Sequence, residues 1–360
     1  MNARIAIGLV LGLAVAPALF PDAPPRHGPL LPDSAGALEE IVIQYVPEAA
    51  DIVTTAYREF LGALPATVTV RVVCPDREAF DDLSRRVGAV ACVLEPVLTG
   101  HPMTTWARDR WLALSPREGE GALLLCPAVE AGAEVWPARA GDRRIGEDLA
   151  SALPHVRWRR SGLVFDGGDF VADGETVFVS PRVARRNPGL TSAQLHRRLS
   201  GLLEREVVLL GDAPNHHAGM YLMTAGHRTA LVGDPSLARG VVGDDAPNDP
   251  DWSAATQAEF DAVAETVSGA GYRVVRIPVV PGRDGRTWLT GVNVILDGRT
   301  VYLPVFRGAE RFNRASADAW RSLGFTVRPV DCTETYRHFG SLRCLVNVVR
   351  RNSVAPLSSR

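Results

Sequence analysis

Apolar residues recur along most of the chain in one order: two short alternating runs around a turn, a helix-spaced stretch, then another apolar run. The clearest copy spans 291–330. Two apolar runs flank Asp297-Gly298, a pair that favours a tight hairpin. A helix is predicted over 311–323, ended by Gly324, and a strand over 325–330. Upstream, 169–180 reads as a hairpin turning near Asp173-Gly174. A helix over 192–205 sets Leu195, Leu199, Leu202 and Leu203 on one face, and a strand follows over 206–210. A third hairpin over 220–233 turns at Ala225-Gly226 and leads to a helix over 253–269 and a strand over 272–278. A fourth copy has a hairpin with a longer loop over 110–126, a helix over 145–153 and a strand over 155–159.

The two ends of this pattern are complementary halves. A strand over 41–45, a helix over 51–61 and a strand over 67–73 lack a first strand; 345–350 is a lone strand. Pairing them would close a ring and remove the exposed sheet edges of an open array. The expected fold class is therefore α/β, a five-fold pseudo-symmetric α/β-propeller of strand-strand-helix-strand units. A helix and strand within 75–100 fall outside the simple repeat.

Unusual polar residues stand at the head of each unit's first strand. They are Trp106 and Asp109, then Asp166 and Asp169 around Gly167-Gly168, then His216-His217, then Asn293, and finally Cys344. Equivalent positions in a ring face the axis, so these side chains are predicted to meet at one mouth. A nucleophilic cysteine needs a lowered pKa, which a neighbouring imidazolium supplies. Carboxylates repel a thiolate, but they suit a cationic substrate, because a planar guanidinium offers paired donors to a carboxylate. Cysteine, histidine and aspartate together thus point to attack on an amidine carbon. Each residue also has a plainer explanation. Cys344 could be a core residue, and Asp109 could pair with Arg108 or Arg110. Asp166 and Asp169 could serve turn chemistry, Asn293 could cap backbone groups, and Trp106 and Trp111 could be core. Trp106 could also form a cation–π wall.

Composition narrows the rest. The 360 residues are 46% hydrophobic and 22% charged, with a net charge of −2, so no global field favours nucleic acid or a membrane surface. All 39 basic residues are arginine, scattered along the chain. Residues 1–20 read as an export signal: Arg4 precedes an apolar stretch too short for a membrane span, and Ala16-Pro17-Ala18 is a candidate cleavage site. The proline-rich stretch 21–36 reads as a linker, and 37–355 as a single catalytic domain. Five cysteines without a CxxC pair argue against a zinc site; two disulfides and one free thiol would fit the odd count in an exported chain. No metal or cofactor motif is present.

The segments WARDRW, FDGGDF, HHAGM, TGVNVILDGRTVYLP and GSLRCLVNVVRR resemble, in order, the blocks of the pentein, or guanidino-group modifying, superfamily that includes agmatine deiminase and bacterial peptidylarginine deiminase. The resemblance covers about 40–350. It implies a pentein fold and a deiminase acting on agmatine, arginine or peptidyl-arginine without a cofactor. It implies Cys344 as nucleophile, His217 as general acid and base, and Asp109, Asp166, Asp169, Asn293 and Trp106 around the substrate. One position departs: an aspartate expected two residues after the histidine is Gly219. Losing a charged acceptor from a desolvated site costs about 2–5 kcal/mol. Asp166 or Asp169 could compensate, the substrate could differ, or catalysis could be lost; His216 could also take the place of His217. Other outcomes of the same resemblance are amidino transfer, dimethylarginine-type hydrolysis, or binding of an arginine-like ligand without turnover.

Overall fold

The computed structural model describes residues 27–117, 121–129, 137–243 and 246–352. The segment read as an export signal lies outside the described residues. No helix among the described residues is long and apolar enough to cross a membrane.

Among the described residues, five small sheets form the blades. The first begins with β1 (Leu38–Gln44), which pairs in parallel with β2 (Thr69–Cys74) across the helix Ala50–Ala63. That helix buries Val53, Tyr57, Phe60 and Leu61 on one face, the spacing that puts an apolar stripe against a sheet. After the helix Arg77–Val87, β3 (Val93–Leu98) adds a fourth strand, so 75–100 extend this blade. The second blade is the hairpin β4 (Leu112–Leu114) and β5 (Ala122–Cys126), then β6 (Val156–Arg160) in parallel. The third is β7 (Phe170–Ala172), β8 (Thr176–Val179) and β9 (Glu206–Leu209).

The fourth blade is β10 (Leu222–Gly226), β11 (Thr229–Asp234), β12 (Arg273–Pro281) and an added antiparallel strand, β13 (Trp288–Thr290). Its hairpin does not turn at Ala225-Gly226: His227 and Arg228, both at positive φ, make the turn. The fifth is β14 (Ile295–Asp297), β15 (Thr300–Val305) and β16 (Thr326–Asp331), with Gly298 at φ 55° in the tight turn. The last strand, β17 (Val346–Arg351), pairs antiparallel with β1 and supplies the first strand that the opening half-unit lacked. The ring is closed as the pattern predicts.

Two expectations change. Residues 27–36 do not stand away from the domain as a linker would. Leu30 and Leu31 donate to Leu203 and Ala113, Asp33 donates to Ala172, and the Gly36 carbonyl accepts from Gly298, so this strap crosses several blades. All five cysteines are free and buried, so the two-disulfide arrangement is absent. Burial pushes the thiols of Cys74 and Cys126 up to about 12 and that of Cys92 to about 11. These three behave as small apolar side chains.

Candidate active site

A short helical turn precedes the inner strand of most blades: Ala107–Asp109 before β4, Gly167–Asp169 before β7, Ala218–Met220 before β10 and Leu342–Leu345 before β17. Asn293 holds the corresponding place before β14. Within these turns or just before them, Asp109, Asp166, His217 and Cys344 face one cavity of about 1400 Å³. Trp106, Asp109, Asp166, His216, His217 and Cys344 line it, with Arg139, Arg182 and Arg286. The predicted convergence is therefore present for four blades.

His217 is the electrostatic centre. Its Nε2 lies 3.4 Å from Asp166 Oδ2. Burial opposes charge on the ring, but Asp166, the Cys344 sulfur and the fields of Asp169 and Asp109 outweigh it and raise the imidazole to about 10. His217 is thus an imidazolium at neutral pH. The ring lies directly over Gly168, where a Cβ would come within 2.6 Å of Nδ1. A side chain there would push the imidazole away.

His216 has the opposite fate. It packs against Trp288 with centroids 5.1 Å apart, and its Nδ1 accepts the His217 backbone N–H at 2.8 Å. Burial, then the charges of His217 and Arg182, lower it to about 3, so it stays neutral. The geometry separates the two adjacent histidines: His217 faces the cysteine and the acid.

The carboxylates divide in the same way. Asp166 accepts from Arg186 (2.8 Å), Arg182 (3.2 Å) and Arg110 (3.5 Å) as well as facing His217. Burial would raise it, but His217 and these arginines hold the carboxyl well below the usual range. Its oxygens are shared between the imidazole and three guanidinium groups. Asp169 and Asn293 do not line the cavity, a correction to their expected place around a substrate. Asp169 is fully buried, and it and Asp166 accept each other's backbone N–H across the Gly167–Asp169 turn. Asn293, 1% exposed, lies beneath the cysteine: its Oδ1 accepts from the Arg343 backbone (2.9 Å) and lies 3.7 Å from Cys344 Sγ. Its Nδ2 donates to the Gly219 carbonyl at 2.8 Å.

Asp109 does line the cavity, where Arg139 Nη1 reaches its Oδ2 at 3.1 Å. The same nitrogen is 3.3 Å from the buried Asp142, which also accepts from Thr104 and Gln44. Neither Arg139 nor Asp142 was singled out by the sequence, because they lie inside a helix without a motif. Trp106 packs against Gly340 in the loop leading to Cys344; a Cβ at Gly340 would stand 2.3 Å from the indole. Trp111 is wholly core. At Gly219 a Cβ would come within 2.6 Å of Arg343 Nη1, so the place of the missing aspartate is taken up by an arginine guanidinium.

The groups Asp166, Asp169 and His217 come within reach of a common point, but three arginines already neutralise Asp166, which makes a poor donor set for a cation.

Comparison with known proteins fits this geometry. The family model described as Porphyromonas-type peptidyl-arginine deiminase matches residues 41–348. No curated protein sequence matches significantly. Among solved structures, the agmatine deiminase of Enterococcus faecalis superposes with a TM-score of 0.70 at 16% identity, over 90% of this chain and 96% of that one. The agmatine deiminase of C. jejuni gives 0.69 at 14%, over 91% and 97%. A Porphyromonas gingivalis protein assigned as an arginine deiminase gives 0.68 at 19%, over 89% and 97%. With the family match spanning all five blades, the chain belongs to the Porphyromonas-type peptidyl-arginine deiminase family, a cysteine-dependent guanidino-group hydrolase on the pentein ring.

Proposed function

We propose that this protein hydrolyses the terminal guanidino C–N bond of arginine side chains, with Cys344 as nucleophile, His217 as acid and base, and Asp109 as the acceptor for the guanidinium. The observation that carries this reading is the placement of Cys344, His217 and Asp109 on one cavity wall, with Asp166 behind the imidazole. The Cys344 thiolate adds to the guanidinium carbon. His217 then gives its proton to one amino nitrogen, and the C–N bond breaks to release ammonia. The neutral imidazole takes a proton from water, whose oxygen attacks the thiouronium carbon. The C–S bond breaks as the adduct's hydroxyl proton passes to solvent, and a neutral ureido product leaves with the thiolate and the imidazolium restored. Arg139 Nη1 lies 3.1 Å from Asp109 Oδ2, so an incoming guanidinium competes with it for that carboxylate. A cavity of about 1400 Å³ exceeds the common ligand-pocket range of about 300–1,000 Å³, which favours arginine within a peptide over a small free guanidine. Export, expected from residues 1–20, would bring the enzyme to such peptides.

The test is release of ammonia and ureido product from agmatine, free arginine, methylated arginines and arginine peptides, with Cys344→Ala as control. Turnover on peptides that drops by about a thousandfold or more in Cys344→Ala is the expected result. Turnover that survives the substitution would sink the reading. One observation favours a second reading, binding without turnover: Arg343 stands where a second carboxylate would be. Tight binding of an arginine peptide with no ammonia released would establish it.

A further inference from the structure

Two buried arginines stand behind the cavity, each immediately before a cavity residue: Arg108 precedes Asp109, and Arg343 precedes Cys344. Arg343 is 2% exposed and Arg108 9%. Both donate to the Phe170 carbonyl, at 2.9 Å and 3.4 Å. Arg108 also donates to the Gly167 carbonyl and to Asn347 Oδ1. The carboxylate that reaches both comes from the strap at the start of the described chain. Arg343 donates to Asp33 Oδ1 from Nη2 (2.8 Å) and Nε (3.3 Å), and Arg108 Nη2 lies 3.8 Å from the same oxygen. Asp33 is itself fixed: its Oδ2 accepts the Ala172 N–H at 2.9 Å, and its own N–H donates to the Ala172 carbonyl at 2.8 Å. Burial would raise the Asp33 carboxyl, but Arg343 and Arg108 hold it below its ordinary value. Burial and the neighbouring Arg343 lower Arg108 to about 9.

One carboxylate therefore contacts two buried cations, with Arg351 also in its field, and Arg343 and Arg108 are each one peptide bond from a reacting or binding group. Removing one partner of a buried ion pair leaves an uncompensated charge that drives rearrangement. A shift of about 1 Å at a reacting centre is enough for a hundredfold loss of rate.

We propose that Asp33 is a positioning residue of the hydrolase: through Arg343 and Arg108 it sets Cys344 and Asp109 against each other, making the N-terminal strap part of the frame of the active site. This rests on the roles of Cys344 and Asp109 given above. It also accounts for Gly219, because the guanidinium that Asp33 anchors needs the space that a side chain there would fill.

The test is Asp33→Asn in the full chain, which keeps the size and the Ala172 contact but removes the charge. In folded protein, well below its melting midpoint, kcat falls by about tenfold to a hundredfold and KM rises severalfold. A purely structural role predicts a lower Tm with kcat and KM per folded molecule unchanged, and that result overturns the proposal. Arg343→Lys keeps the cation but not the fork, and a smaller kcat loss is expected. Full kcat in that variant overturns the proposal even if Asp33→Asn fails to fold. Alkylation of Cys344 by iodoacetamide needs no substrate. A rate changed severalfold in Asp33→Asn is expected, and an unchanged rate overturns the positioning role whether or not the substrate panel shows turnover.

Discussion

The two sides of Cys344 are built on opposite electrostatic plans. On the cavity side, Asp109 and Asp166 meet Arg110, Arg139, Arg182, Arg186 and the His217 imidazolium, so charges of both signs are shared among many partners. On the strap side, Arg108 and Arg343 share Asp33. Under the proposed function, an incoming guanidinium exchanges with a cation already held in this mixed network. A buried pair of cations on one anion has no such slack. The contrast assigns exchange to the cavity side and rigidity to the strap side.

The largest effect that sharpens this contrast lies within the cavity. His217→Gln removes the imidazolium between Asp166 and Cys344, and kcat falls by about a hundredfold to ten-thousandfold. His216→Gln, one residue away, changes kcat by less than tenfold. Equal losses in steady-state kinetics of the two variants would show that the assignment between the adjacent histidines is wrong.

The pH profile gives the next effect. The folded His217 pKa, raised to about 10, lies above the ordinary 6.5, so the protonated ring stabilises the fold. That contribution is complete below about 6.5 and is lost as pH rises through about 10. The rate kcat/KM holds across that range and falls by about tenfold per unit only above the folded pKa of about 10. A limb in kcat/KM centred near 6.5 would mean that Asp166 and Cys344 do not hold the proton on His217.

Gly219→Asp tests the boundary between the two sides. The new side chain meets Arg343, which Asp33 and the Phe170 carbonyl hold in place, so stability falls by about 1–3 kcal/mol with no gain in turnover. A stable variant with faster turnover would mean that the arginine yields easily. The smallest effect belongs to Arg139→Gln. It relieves competition at Asp109, and KM for a cationic guanidine falls severalfold with kcat nearly constant; a raised KM would assign Arg139 to holding the substrate.

The legible parts of the molecule were those that repeat. Hairpin, helix and strand recur because each blade buries the same apolar faces, and the axis-facing position of each turn follows from that repetition. Asp109, Asp166, His217 and Cys344 could therefore be placed together from spacing alone. Asp169 and Asn293 occupy the same repeat positions, yet their side chains turn to backbone groups, a choice set by local geometry that spacing does not encode. Asp33, Arg139 and Asp142 sit outside the repeat. Their partners are 310, 30 and 38 residues away in sequence, at Arg343, Asp109 and Thr104, contacts that only the folded chain brings together. The proline-rich composition of the strap hid its contacts, since the same composition suits an open linker.

Ring closure by β17 has a consequence for synthesis. The strand that completes the first blade directly follows Cys344, and the nucleophile and the last seam of the ring leave the ribosome together. A chain made only as far as β16 holds both histidines but neither Cys344 nor the closing strand. The cavity side chain at Cys344 is therefore added to the chain in the same stretch that closes the ring.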